Sequence, residues 1–316
     1  MSQAKYTSPL CPGEKITADQ LETDRGILAF QRAVDRLSRR RFLGGLSGAT
    51  ALAVSAGFIS APKLFAQAAP ATPAISDVLN FALNLEYLEA NLYSIVTSGN
   101  PVAASLQGSA PGAITGSPGK LTLDATTFAL FQALASDEVN HINDLRSAIT
   151  SLNATPISQP AINYAAKGAI TTQAQLLATT RQFTALGNSA YAGAAQFLVS
   201  NPAVLTVAAQ ILGAEGQHLG AVNYQCITQN VTASFSTNSM AYIDEQDLPP
   251  SPTQYFTVAL PGNAAGLPAG IPPFRTTSQD LGVVYGVSTP STLNPPAGTT
   301  SGGFLPSGAN GNIKST

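Results

Sequence analysis

Histidine is nearly absent from this chain: 316 residues contain two, His141 and His218. Cysteine is as scarce, with only Cys11 and Cys226. Cys11 lies in a segment read below as a removable leader, so the remaining chain holds one thiol and cannot close an intrachain disulfide. Cys226 is expected to pack as a small apolar residue. Nine of the 15 Lys and Arg residues fall within 1–68, leaving six against twelve Asp and Glu in 69–316, a net charge of −6 there. Nucleic acid, which needs a basic face, is therefore not an expected partner. No phosphate-binding glycine loop or dinucleotide fingerprint stands out. A hydrolytic triad would lack its base, because both histidines are committed to another pattern.

The basic N-terminal segment carries its own signal. Ser38, Arg39, Arg40, Arg41, Phe42 and Leu43 match the twin-arginine export pattern. A Gly- and Ala-rich apolar run over 42–61 follows, and Ala66-Gln67-Ala68 has the small-x-small form of a cleavage site. The run approaches the ~20 residues that span a bilayer, but its Gly, Ser and Ala content makes it weakly hydrophobic. A cleaved leader is the expectation, with the twin-arginine export machinery as partner, a periplasmic or extracellular destination, and no membrane attachment after cleavage.

What the chain does have is a repeated pair. Glu138 and His141, and again Glu215 and His218, are spaced Glu-x-x-His and use both histidines. With only seven glutamates in the chain, composition alone gives this coincidence odds of roughly one in two thousand. Residues three apart share a helix face, so each pair aims a carboxylate and an imidazole at one point. The first pair lies in an apolar stripe of Phe128, Phe131, Leu134, Ala135, Ile142, Leu145 and Ile149. The second lies in one of Val204, Leu205, Ala208, Ile211, Leu212, Leu219 and Val222. Both pairs should be buried. An unpaired buried carboxylate costs several kcal/mol, and with so few Lys and Arg available the expected partner is a metal ion.

Helical periodicity predicts four segments, at about 76–97, 124–152, 172–199 and 202–228, the last with Asn201 as N-cap and Pro202 at its first position. Glu86 and Glu89 lie on the inward face of the first. The connection from Asn153 to Gly168 is too long for a hairpin and suits a crossover along a bundle. The domain reading is therefore leader 1–68, bundle 69–230, and a Pro- and Gly-rich tail 231–316 packed on the bundle. In the tail, Tyr242, Tyr255, Phe256, Phe274, Val283, Val284, Tyr285 and Phe304 are docking residues, Ser278 caps a short helix stopped by Gly286, and the last several residues are loose.

These features resemble the ferritin-like superfamily: an all-α four-helix bundle with a long crossover between helices two and three. In it, helices one and three each give a Glu and helices two and four each give Glu-x-x-His. Glu86, seven residues before Tyr93 in Leu-Glu-Tyr-Leu-Glu-Ala-Asn-Leu-Tyr, is similar to helix one of that superfamily. More narrowly, the chain resembles the desiccation-related ferritin-like family. The tail segments Pro273-Phe274-Arg275-Thr276 and Gly302-Gly303-Phe304-Leu305-Pro306 through Asn310-Gly311 look like its own. The resemblance implies metal ligands Glu86, Glu138, His141, Glu215 and His218. It also exposes a departure, since the position seven before Tyr191, where the family's third helix carries Glu, holds Thr184. Gln182 points to another face, and Asn188 offers only an amide. A first ion would have Glu86, Glu138 and His141 with Glu215 bridging; a second would have only His218, Glu215 and shared Glu138. Glu89 either compensates or is hydrogen-bonded to a neighbouring helix.

Two functions follow as expectations from the resemblance. One is a redox protein using iron or manganese, one or two ions, on dioxygen or peroxide. The other is a non-catalytic desiccation or stress protein with a structural or vestigial metal site, which Thr184 favours. Iron storage in a closed cage fits less well, because the shell would have to accommodate the tail.

Overall fold

The computed structural model of the chain describes residues 72–231, 274–287 and 295–316, all within the unit Pro70–Thr316. The leader and the tail residues Tyr242, Tyr255 and Phe256 lie outside them. Five α-helices are described: α1 (Ile75–Ser98), α2 (Ala125–Ser151), α3 (Gln173–Leu198), α4 (Pro202–Thr228) and the short α5 (Thr277–Val284).

Local chemistry explains where four of the described helices start and where α1 stops. Asp124 caps α2 by accepting from the Thr127 backbone N–H, and Thr172 and Gln175 form a reciprocal capping box on α3. Asn201 caps α4, with Pro202 at the position where a missing N–H costs nothing. α1 ends at Gly99, whose φ of 87° is the left-handed conformation that closes a helix, its N–H bonding to the Ile95 carbonyl. The tail helix starts two residues earlier than expected. Thr276, not Ser278, is its cap, because Thr276 has Gln279 three positions on to complete a capping box.

The pairs α1 with α2 and α3 with α4 pack most closely; α1 also meets α3, α2 meets α4, and α5 lies on α3. Two apolar clusters fill the bundle. One gathers Val78, Leu83, Ile142, Ile149, Leu198, Val204 and Ile211. The other gathers Leu92, Val96, Phe131, Leu134, Leu176, Phe183 and Val222. α2 and α3 both run from the second cluster toward the first, while α1 and α4 run the opposite way. Parallel helices cannot be joined by a tight turn, so the α2–α3 connection must travel the bundle length. On the way, β2 (Ile162–Asn163) pairs in parallel with β1 (Ile114–Thr115), tying the crossover to the loop after α1.

α2 and α4 bury one stripe each, as their patterns predict. α1 and α3 are buried on nearly every side. Asparagines on the outer face of α1 bond the chain that covers it. Asn80 accepts from the Ile157 N–H at 2.9 Å, Asn84 exchanges two hydrogen bonds with the Asn310 backbone at 2.8 and 3.0 Å, and Asn91 accepts from the Val102 N–H at 3.2 Å. On α3, the Arg275 backbone crosses so closely that a Cβ on Gly193 would lie 1.8 Å from the Arg275 carbonyl oxygen. Phe304 and Leu305 are fully buried, Phe304 edge-on to Phe183 at 5.0 Å between ring centres. The final residues are not loose: Thr316 exchanges backbone hydrogen bonds with Gly298 and Thr299, and Tyr285 donates to the Lys314 carbonyl. No helix among the described residues is long and apolar enough to cross a membrane.

Candidate metal centre

Between the two apolar clusters lies a layer of acid and imidazole. Glu86 comes from α1, Glu138 and His141 from α2, and Glu215 from α4, and one ligand atom from each lies within 4.8 Å of all the others. All are buried, His141 the most exposed at 6%. His141 Nδ1 is 3.1 Å from Glu138 Oε2, 3.3 Å from Glu86 Oε2 and 3.5 Å from Glu215 Oε1. The second histidine stands beside this group. His218 Nδ1 is 3.0 Å from Glu138 Oε1 and 3.9 Å from Glu215 Oε1, and the two imidazoles stack with ring centres 5.8 Å apart.

The hydrogen bonding around the layer is incomplete. Glu138 Oε1, both oxygens of Glu215, His218 Nδ1 and Glu89 Oε1 are buried with no hydrogen-bond partner. Glu138 Oε1 and His218 Nδ1 are in contact yet not aligned for a hydrogen bond, as expected of two donors arranged about a third body. The ion-pair partners of Glu86, Glu138 and Glu215 among the described residues are the two histidines. Orphaned buried donors of this kind carry a penalty of roughly 1–3 kcal/mol each, more for charged groups. A hard or borderline divalent cation would satisfy them together, and carboxylate oxygen with imidazole nitrogen is a donor set suited to one. The residues present fit a metal.

Burial and mutual charge shift the ionisation of these groups. Burial and then the charges of Glu215 and Glu86 push Glu138 well up, and burial likewise raises Glu215. Burial opposes charge on His141, but Glu86, Glu138 and Glu215 override it and raise its pKa far above the ordinary imidazole value. Burial would raise Glu86 too, yet the adjacent His141 charge wins and lowers it.

Residues 75–227 match the model of the ferritin-like domain. The fold of this segment is that of a ferritin-like helical bundle. No curated protein matches the chain. In the ferritin-like segment, α1, α2 and α4 bring Glu86, Glu138, His141 and Glu215 into one group, with His218 in contact at its edge. α3 brings none: Thr184 is fully buried, and its hydroxyl donates back to its own helix, to the Thr180 and Arg181 carbonyls at 3.2 Å each. Among the described residues, Glu89 shows no hydrogen bond from Oε1 to a neighbouring helix. It is 4% exposed and its Oε1 has no partner.

Three supporting residues escaped the sequence reading. The Tyr191 hydroxyl donates to Glu86 Oε1 at 2.5 Å; its signal was the seven-residue spacing from Thr184, which mirrors that of Tyr93 from Glu86. Asp137, half exposed, meets His218 Nε2 at 3.2 Å, so the imidazole links the buried layer to the surface. Its place beside Glu138 in sequence carried no signal of a contact with another helix. Gly187 leaves the space that Glu215 fills, 2.7 Å from a would-be Cβ to Oε2.

Proposed function

We propose that the ferritin-like domain of this chain is a redox-active centre for iron or manganese, exported by the twin-arginine route and acting on dioxygen or peroxide. The observation that carries the metal reading is the set of orphaned donors on Glu138, Glu215 and His218 facing one another in a buried layer. Glu86, Glu138, His141 and Glu215 would hold a first ion, and Glu138, Glu215 and His218 would share a second. Bound iron or manganese supplies electron transfer to oxygen or peroxide, which protein side chains do not. The chain's own residues do the rest. The Tyr191 hydroxyl holds Glu86 Oε1, leaving Oε2 toward His141. Asp137 takes the outer nitrogen of His218, so that Nδ1 faces inward, as outer-shell carboxylates commonly orient metal-binding imidazoles. The flanking apolar clusters exclude water from both ends.

Thr184 favours a second reading, a non-catalytic desiccation or stress protein with a structural or vestigial metal. The tail segments that resemble the desiccation-related family support the same biological setting. Metal analysis of the protein purified from its export compartment separates the readings. Iron or manganese at one to two ions per chain, with turnover of peroxide or consumption of oxygen, supports the redox centre. Bound metal without turnover supports the stress protein, and metal-free protein that binds neither ion on titration overturns the metal reading.

A further inference from the structure

We infer that Glu89 is the fourth carboxylate of the metal centre, supplying from α1 the oxygen donor that α3 lacks at Thr184. This rests on the metal reading above and extends it to a residue outside the Glu-x-x-His pattern.

The third helix offers no substitute of its own. The Thr184 hydroxyl is used by its own helix backbone. Gln182 is bonded to Lys167, and the amide nitrogen of Asn188 lies against α4, 3.5 Å from the Cβ position of Gly216. The space one turn along, at Gly187, is taken by Glu215.

Glu89 has the opposite character. It lies three residues from Glu86 and therefore on the same face of α1. It is 4% exposed, and its Oε1 has no hydrogen-bond partner. Burial, with the charges of Glu215, Glu138 and Glu86, holds its carboxyl well above the usual carboxylate range. Glu215 and Glu138 are the two carboxylates that both ions would share. Glu89 and His218 are the two donors left outside the tight group of four, and a second ion needs two such donors. Burying Glu89 Oε1 without a hydrogen-bond partner carries a desolvation cost that calls for a partner. A cation accounts for it.

The test is a Mn2+ titration of the metal-free full-length protein, followed by calorimetry and by the paramagnetic signal of free Mn2+. The natural protein is expected to take two ions of unequal affinity. Glu89→Gln, which keeps shape and removes charge, should weaken the second ion at least about tenfold, in the range typical of lost metal-site partners, and leave the first nearly unchanged. Glu86→Gln should weaken the first ion instead. Adding Thr184→Glu to Glu89→Gln should restore the second ion, a rescue that a merely structural role for Glu89 would not produce. Thermal melting of the metal-free variants reports folding; if Glu89→Gln is unfolded, Glu89→Asp replaces it, and loss of the second ion is again expected. Unchanged second-ion binding in the variant overturns the inference. So does a natural protein with one site that Glu89→Gln leaves intact, a result under which the metal reading stands. If neither Mn2+ nor Fe2+ binds the natural protein, the metal reading falls and this inference with it.

Discussion

Glu215 Oε2 lies 2.7 Å from the point where a β-carbon on Gly187 would be. The helix that lacks a carboxylate thus contributes a gap, and a glutamate from α4 fills it. Gly187→Ala would ordinarily favour a helix by up to ~1 kcal/mol. Here the added methyl drives the carboxylate toward the histidines, and we expect a net loss of roughly 1–3 kcal/mol, typical of overpacked interiors. Urea unfolding with and without Mn2+ checks this. The stabilisation that Mn2+ confers on the natural protein should shrink in the variant; an unchanged or larger one would show that the gap has no bearing on the site.

Protons and metal should compete for the same layer. The pKa of His141 is raised in the fold, so its contribution to stability is full below about pH 6.5 and declines as pH rises above that toward its folded value. Glu89, Glu138 and Glu215 are raised as well, so theirs is full below about pH 4.5 and declines as pH rises; the lowered Glu86 acts in the opposite sense. The metal-free protein should therefore be more stable at about pH 5 than at about pH 8, and saturating Mn2+ should reverse that order, since ligands must lose protons to bind. Thermal melts at both pH values give the comparison, and calorimetry in two buffers of different ionisation enthalpy should register proton release on binding.

Cys226 should be chemically silent. It is 1% exposed, and burial pushes its thiol up to about 11. A thiol-reactive disulfide reagent at about pH 8 should leave the native protein unlabelled and react only after unfolding, because the thiolate is the nucleophile. Labelling of the native state at the rate of a free thiol would mean that α4 opens where it packs against the Leu177 carbonyl.

Export should depend on the arginine pair. Replacing Arg39 and Arg40 together by Lys is expected to leave an uncleaved precursor in the cytoplasm, detected by its size and its absence from the exported fraction. Normal export of that variant would show that residues 1–68 serve another purpose.

The four helices and the two Glu-x-x-His pairs could be read from sequence because their signals are local. A three-residue spacing puts Glu138 with His141, and Glu215 with His218, on one face wherever the helix goes. α2 and α4 alternate apolar and polar faces, so their stripes were visible. α1 and α3 gave poorer contrast, because much of the chain that covers their outer faces is distant in sequence, 77 residues away where Ile157 meets Asn80, 90 where Arg275 meets Ala185 and 226 where Asn310 meets Asn84. The start of α5 was legible and misread: Thr276 with Gln279 three positions on is a stronger cap signal than Ser278.

By itself, then, the sequence determined the helices, their capping residues and which carboxylates and imidazoles travel together on one helix, because these depend on residues within a turn or two of each other. Only the tertiary structure decided what faces what across the bundle: Tyr191 on Glu86, Asp137 on His218, Glu215 in the gap at Gly187, and Glu89 buried without a hydrogen-bond partner for Oε1. Those relationships depend on the direction of each helix and the rotation of its face, which are set by packing two apolar clusters around one polar layer.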